Sequence, residues 1–287
     1  MMLNVDRFFK AEDQPVVFSA DKLFPSELFG ELLQTFPQDE LEELMGDNFF
    51  AEMDSDRHQE QFKKFIEKTP VWKRLYREVS HRNFKRALLA RFDRELTDIR
   101  GTKAVNSFRT IDTEVKCSFH LSRNGYLLSP HTDTGMKMVT VVIYLHEEGT
   151  ELPGAGTRFY QAEDAAAGLD YIRGLLDDKG QCELDRPFGV VGVAVGRVYQ
   201  QADITEETLR QVKTFDSLHK CALEVPFVGN HAVLFIKSND SWHDVRLEHL
   251  QDDEYRKSFV INFSLVPSEQ RNSIGRARRI IRMILSM

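Results

Sequence analysis

The spacing of apolar residues changes character near residue 105. Upstream, Leu28, Phe29, Leu32, Leu33 and Phe36 recur at helical intervals behind Pro25-Ser26, the pattern of a helix with one buried stripe. A further helix is predicted to open at Thr69-Pro70, with Thr as N-cap and Pro in the first turn. It carries Trp72, Leu75, Tyr76 and Val79 on one face. Residues 1–104 therefore read as a mainly helical part that packs on the rest. From about Val105 the period drops to two. Across 114–122, Val115, Cys117, Phe119 and Leu121 alternate with Lys116, Ser118, His120 and Ser122, as in a strand with one apolar face. Residues 137–145 (KMVTVVIYL) are β-branched and apolar, 157–160 follow a Gly-rich turn, and 231–237 and 258–266 also read as strands. Helices followed by many short strands predict an α+β chain with an antiparallel barrel or jelly roll as its core, 105–266.

Two segments fall outside that pattern. Residues 161–229 hold Ala-rich and acidic stretches, the apolar run 188–198 and a helical piece near 206–215. They read as an insertion in the core, because strands resume after them, and long loops at the mouth of a barrel often act as lids. Residues 267–287 close the chain. There Ile274, Ala277, Ile281 and Ile284 share one helical face, with Arg276, Arg278, Arg279 and Arg282 interleaved. This predicts an amphipathic basic helix that docks on the protein or mediates self-association or surface contact.

Composition narrows the function. The chain has 287 residues and a formal net charge of −7, which argues against a nucleic-acid-coating surface. Twenty-one Phe residues suggest a filled interior. The three cysteines, Cys117, Cys182 and Cys221, form no CxxC pair, so neither a disulfide framework nor a zinc ribbon is expected. A reducing cytoplasm is the simplest setting. There is no apolar leader at the start and no apolar run long enough to span a bilayer.

The candidate chemistry lies in SRNGYLLSPHTDTG, residues 122–135. His131 and Asp133, two apart on an extended segment, point to the same side. A third ligand would come from a distant strand. His243, in SNDSWHDVRLE, follows the strand 231–237 after a short polar turn; His231 and His249 are fallbacks. Two imidazoles and one carboxylate on one side of an ion leave positions open, the arrangement of non-haem Fe(II) oxygenases. Structural zinc sites are closed and richer in Cys. Downstream, EYRKSFVINFSLV places Arg256 and Ser258 on one face of a strand with Val260, Asn262 and Ser264. A guanidinium and a hydroxyl so placed can hold a carboxylate. A buried Arg calls for an anion, and a dicarboxylate such as 2-oxoglutarate answers.

The ordered set His131-x-Asp133, His243 and Arg256-x-Ser258 resembles the 2-oxoglutarate/Fe(II)-dependent dioxygenases, and within them the prolyl-4-hydroxylase-like branch. Tyr126 before the HxD, Tyr144-Leu145 after it, the Gly156-Thr157 turn and His243-Asp244-Val245 carry the closer likeness. The resemblance implies a double-stranded β-helix, a kind of jelly roll, with N-terminal helices packed on one sheet. It implies Fe(II) on His131, Asp133 and His243, and 2-oxoglutarate with its far carboxylate on Arg256, Ser258 and the Tyr144 hydroxyl. It further implies O2 as oxidant and ascorbate as an accessory reductant. With Asp133 present, hydroxylation of an unactivated C–H bond is the default outcome; desaturation and ring closure stay open. A small-molecule substrate, an amino acid or natural-product intermediate, is expected ahead of a protein or peptide side chain. The competing classes are a non-enzymatic jelly-roll metal- or ligand-binding protein and a cupin-like isomerase or hydrolase. Neither would need Arg256 and Ser258 where they stand.

Four further positions are candidates for the substrate or for support of the site, with Tyr126. Ser118 and His120 share the polar face of their strand, Asn262 shares a face with Arg256, and Arg158 in GTRFY could meet an acidic group, although a solvated Arg is the plainer reading. Arg246 is expected to pair with the acidic segment around Asp252.

Overall fold

The computed structural model describes residues 2–11, 16–100, 113–133, 137–164, 166–167, 198–199, 206–238 and 241–265. The predicted C-terminal helix, the apolar run up to residue 197 and the start of the strand region at 105 lie outside them.

The helices form where the apolar period predicts them. Helix α1 (Ser26–Gln34) buries Phe29 and Leu32, α2 (Gln38–Met45) buries Leu41 and Met45, and α3 (Gln59–Lys68) buries Phe62 and Ile66. Helix α4 (Pro70–Ser80) starts with its proline in the first turn and buries Val71, Trp72, Leu75 and Val79. Thr69 occupies the N-cap position, yet its hydroxyl makes no capping hydrogen bond; the proline at the first helical position, with its φ already set for the helix, starts it. Helices α5 (Arg82–Arg91) and α6 (Asp93–Arg100) follow. Among the described residues no helix is long and apolar enough to cross a membrane.

The helical block also supplies three strands: β1 (Phe9–Lys10), β2 (Val17–Ala20) and β3 (Phe50–Asp54). Then come β4 (Thr113–Ser122), β5 (Leu127–His131), β6 (Lys137–Tyr144), β7 (Thr157–Ala162) and β8 (Val198–Tyr199). Helix α7 (Glu206–Leu218) leads into β9 (His219–Val225), β10 (Ala232–Ile236), β11 (His243–Arg246) and β12 (Arg256–Leu265). They form two antiparallel sheets. The larger has the order β1-β2-β10-β6-β12-β4-β3, the smaller β8-β5-β11-β7-β9. Residues 161–229 are thus no simple excursion. Strand β9 inside this span completes the small sheet beside β7, and β8 pairs with β5.

Directly paired residues point to the same face, so the register sorts the large sheet into two surfaces. One carries Phe119, Phe259, Cys117 and Ile261 and lies under the helices: Trp72 stands 4.7 Å from Phe119 and 4.9 Å from Phe259, ring to ring. Phe36, Phe62 and Phe65 close around Phe119. The other surface faces the small sheet, with Phe235 of β10 packed on Phe159 of β7. Its rows run from Arg256-Ser122-Phe50, through Ser258-His120-Glu52 and Val260-Ser118-Asp54, to Asn262-Lys116. The predicted polar face of β4 is therefore the inner one.

Candidate metal centre

Strand pairing brings the candidate ligands together. His131 ends β5, His243 begins β11, and the two are direct cross-strand partners with ring centroids 4.2 Å apart. Asp133 follows two residues after β5 at φ 66°, a left-handed conformation that Asp tolerates better than most residues. This turn brings its carboxylate back to the imidazoles. Its Oδ1 lies 3.6 Å from His131 Nε2 and its Oδ2 3.9 Å from His243 Nε2. The ligand atoms of all three lie within 4.8 Å of one another, and all three residues are buried.

The surroundings set each ligand's form. His131 Nδ1 faces the Ser129 carbonyl at 2.9 Å, and His243 Nδ1 faces the Ser241 carbonyl at 2.9 Å. A carbonyl only accepts, so each Nδ1 carries the proton and each Nε2 presents its lone pair. Burial, aided by the neighbouring His131, pushes the His243 pKa down to about 3, which leaves the imidazole neutral. Burial alone would raise Asp133. Lys137, His131 and His243 outweigh it and hold the carboxyl well below its usual range. The neutral His243 imidazole and the ionised Asp133 carboxylate are forms a divalent metal takes up without first displacing protons. The donor set fits an octahedral ion with open positions, and no cysteine takes part. Lys137 donates to Asp133 Oδ1 at 2.7 Å. The Thr140 hydroxyl lies 3.4 Å from Asp133 Oδ2 and 3.0 Å from Asn262 Oδ1.

Between the same sheets lies a buried cation. Arg256 is 4% exposed. Its Nε donates to the Ala155 carbonyl (2.9 Å), Nη1 to Ser258 Oγ (3.4 Å) and Nη2 to Thr157 Oγ1 (3.2 Å). The rings of Phe227 and Tyr144 lie 4.9 and 5.7 Å from the guanidinium carbon. None of its hydrogen bonds reaches a carboxylate among the described residues. Burial lowers its pKa, against the pull of Tyr144 and Tyr126. Thr157 also accepts from the Tyr144 hydroxyl at 2.8 Å. Since Thr157 and Ser258 act here as acceptors, their own protons are left to donate elsewhere. Ser122, cross-strand from Arg256, has a buried hydroxyl with no partner. The lining thus holds a cation and several hydroxyl donors, which is what a carboxylate needs.

Other predicted positions divide. Ser118 and His120 lie on the inner face, hydrogen-bonded to each other at 2.8 Å, and His120 also to Glu52 at 3.2 Å. Tyr126 is buried, with its ring stacked on Phe50 at 5.0 Å. Asn262 reaches the metal ligands through Thr140. Arg158 is half-buried and already has an acidic partner within the protein. It pairs with the wholly buried Asp244 through Nε (2.9 Å) and Nη2 (3.0 Å), on the face of β7 opposite Phe159. Asp244 also accepts from Tyr160 and from Arg246 Nε. The other partner of Arg246 is Asp216 of α7, not the segment around Asp252. The fallback ligands stay away: His231 faces Asp21 at 3.3 Å and His249 is exposed. Sequence reasoning missed Lys137, Thr140, Thr157, Ser122 and Glu52. Two of them had a signal: Thr157 follows a Gly turn two residues before Phe159, and Ser122 shares the polar face of its strand with Ser118 and His120.

No family model matches the chain, and no curated protein matches it. Among solved structures, a Pseudomonas putida prolyl-4-hydroxylase is similar at 14% identity and a TM-score of 0.42, covering 88% of this chain and 93% of that one. A Trichoplax adhaerens prolyl hydroxylase in complex with a hypoxia-inducible-factor peptide is similar at 10% and 0.42, covering 91% and 88%. HygX from Streptomyces hygroscopicus, with nickel, 2-oxoglutarate and hygromycin B bound, is similar at 12% and 0.42, covering 87% and 83%.

Proposed function

We propose that this chain is an Fe(II)- and 2-oxoglutarate-dependent oxygenase on a double-stranded β-helix. On this reading it hydroxylates an unactivated C–H bond of a small molecule. The observation that carries the reading is Arg256: a buried guanidinium that meets no carboxylate among the described residues, ringed by hydroxyls, in the same inter-sheet space as a buried His-Asp-His set. A metal-only binding protein needs the second set and has no use for the first.

The roles follow from the contacts. His131, Asp133 and His243 hold the ion, with both imidazoles locked by their Nδ1 bonds to Ser129 and Ser241. Lys137 and Thr140 fix the Asp133 carboxylate. Arg256 binds the far carboxylate of 2-oxoglutarate, Ser258 and Thr157 add donors, and the Tyr144 hydroxyl orients Thr157. Iron with this co-substrate and O2 supplies an oxidant strong enough to break a C–H bond, with 2-oxoglutarate released as succinate and CO2. Phe159 and Phe235, packed on His243, keep bulk water from that side of the centre. The protein works in a reducing cytoplasm.

The test is anaerobic titration with Fe(II) and then 2-oxoglutarate, followed through the weak visible charge-transfer band of the chelate. The band is expected in the wild type, absent in Asp133→Ala and weakened in Arg256→Ala. Metal binding without any band in the wild type would leave a metal-binding protein or a cupin-like chemistry in its place.

A further inference from the structure

The inner face of the large sheet carries a second group of ionisable residues that the metal and co-substrate do not use. Strand β3, an edge strand beside β4, contributes Glu52 and Asp54. The register fixes their position. Glu52 stands in the row of His120 and Ser258, and Asp54 in the row of Ser118 and Val260. Arg256 is one row to one side. Asn262, whose Oδ1 shares the Thr140 hydroxyl with Asp133, is two rows to the other. Along the strands, the carboxylate of Glu52 therefore lies between the row of Arg256 and the row of Asn262.

Glu52 is held in place. His120 Nε2 meets its Oε1 at 3.2 Å and Ser118 meets the same imidazole nitrogen at 2.8 Å. Phe50 packs edge-on against His120 and stacks on Tyr126, walling the group with aromatic surface. Glu52 and His120 keep side-chain exposures of 22% and 21%, so the carboxylate is shielded yet reachable. A guanidinium already lies on it: Arg57, from the turn after β3, pairs with Glu52 and reaches Asp54 at 2.9 Å through Nε. Arg57 is 68% exposed, an outer arm that a ligand can displace. The Ser122 hydroxyl, which also lines the space beside Arg256, is wholly buried one row from Glu52 and has no partner among the described residues.

The sign of the wall decides the ligand class. Glu52, Asp54, Asp56 and Glu114 stand against Arg57 and Lys116, and Lys116 is taken by Asp56 at 2.7 Å and Glu114 at 3.6 Å. An anionic ligand would meet net repulsion, and a neutral one would leave Glu52 desolvated behind it. A cation gains a charge-assisted bond in a half-shielded place.

We propose that the molecule oxidised at this centre carries an ammonium or guanidinium group, received by Glu52 with His120 and Ser118 as its orienting partners. This rests on the oxygenase reading and adds the substrate class to it. Glu52 acts as the specificity residue, and Ser122 is a hydroxyl available to the same molecule.

The experiment uses the full chain loaded anaerobically with Fe(II) and 2-oxoglutarate. Agmatine, 1,5-diaminopentane and the neutral 1,5-pentanediol are titrated calorimetrically while the visible band is monitored. The two cations are expected to bind and to perturb the band, and the diol to do neither. Glu52→Gln is expected to weaken cation binding at least tenfold while keeping the band. Glu52→Asp, which retains the charge, is expected to recover part of the affinity and guards against a folding defect in the glutamine variant. Equal binding of the diol, no binding of either cation, or unchanged cation affinity in Glu52→Gln overturns the proposal. Loss of the band in the wild type itself sinks the oxygenase reading instead, and the calorimetric arm still reports on Glu52.

Discussion

Replacing Arg256 with Met separates a structural arginine from a ligand-binding one. In the ligand-free protein the guanidinium makes three hydrogen bonds, to Ala155, Ser258 and Thr157. Losing them removes about 3 kcal/mol at about 1 kcal/mol each. Against this stands the desolvation of a cation buried without a carboxylate, an effective penalty of several kcal/mol. Methionine fills much of the same volume beside Phe227 and Tyr144. The two terms nearly cancel, so urea unfolding of the metal- and ligand-free variant should fall within about 2 kcal/mol of wild type. The ligand term does not cancel. With 2-oxoglutarate at a hundredfold over its Kd, the wild type gains about 2.7 kcal/mol. For a chain of this size that raises Tm by roughly 5–10 °C at about 2–4 °C per kcal/mol. The assay is thermal unfolding with Mn(II) alone and with Mn(II) plus 2-oxoglutarate. The wild type should show the rise and Arg256→Met should lose it. A variant that keeps more than half of the rise, or that loses more than about 4 kcal/mol without any ligand, would refute the reasoning and make Arg256 a structural residue.

Three further outcomes test the scaffold. Burial alone would raise the Glu52 pKa, but the His120 hydrogen bond and charge and the Arg57 charge bring it down to about 2 from the ordinary 4.5. The unfolded chain therefore binds the proton first as pH falls, and Glu52 contributes roughly 3 kcal/mol above pH 4.5 that disappears toward pH 2. Urea unfolding of wild type and Glu52→Gln should differ at pH 6 and converge near pH 2; a constant gap would refute the assignment. Asp244→Ala leaves Arg158 and Arg246 without their buried partner and should cost about 3–5 kcal/mol, whereas Asp216→Ala, at the exposed end of the network, should cost about 1 kcal/mol; equal losses in chemical denaturation would contradict this. A Cβ on Gly229 would stand 2.0 Å from the Glu147 carbonyl and 2.4 Å from that of His146. Gly229→Ala should lose about 3 kcal/mol, whereas Gly30→Ala in α1, with nothing within 4 Å, should gain about 0.5–1 kcal/mol.

The change of period near residue 105 was enough to place the helices on one side of a sheet, because Phe119 alternates with polar neighbours while Trp72 recurs at helical spacing. Short strands escaped the same reading. Phe9–Lys10 is too short to show any period, and Phe50–Asp54 alternates across only five residues inside a helix-rich stretch. Strand β9 was hidden for another reason. It lies at an edge of the small sheet, and most of its middle is exposed or half-exposed, so HKCALEV lacks the apolar run that marked β6 and β10.

The metal ligands were legible because their chemistry is written in residue type and order, and the pairing of β5 with β11 then had only one way to bring His131 to His243. Their neighbours were not legible, because side-chain partners follow from strand register and backbone turns rather than from type. Arg158 shows the difference. Alternation along β7 leaves its direction open, and the bulge between Phe159 and Tyr160 weakens the inference further. Only the pairing of Arg158 with Asp244 across β7 and β11 shows that the guanidinium belongs to the outer network holding α7 to the sheet. Lys137 and Thr140 depend in the same way on one left-handed residue, Asp133, which turns the chain so that positions four and seven further on meet its own carboxylate. Glu52 depends on β3 joining β4 in the register that sets it beside His120. The parts hardest to read from the sequence are therefore the partners that strand register and backbone turns bring to the site.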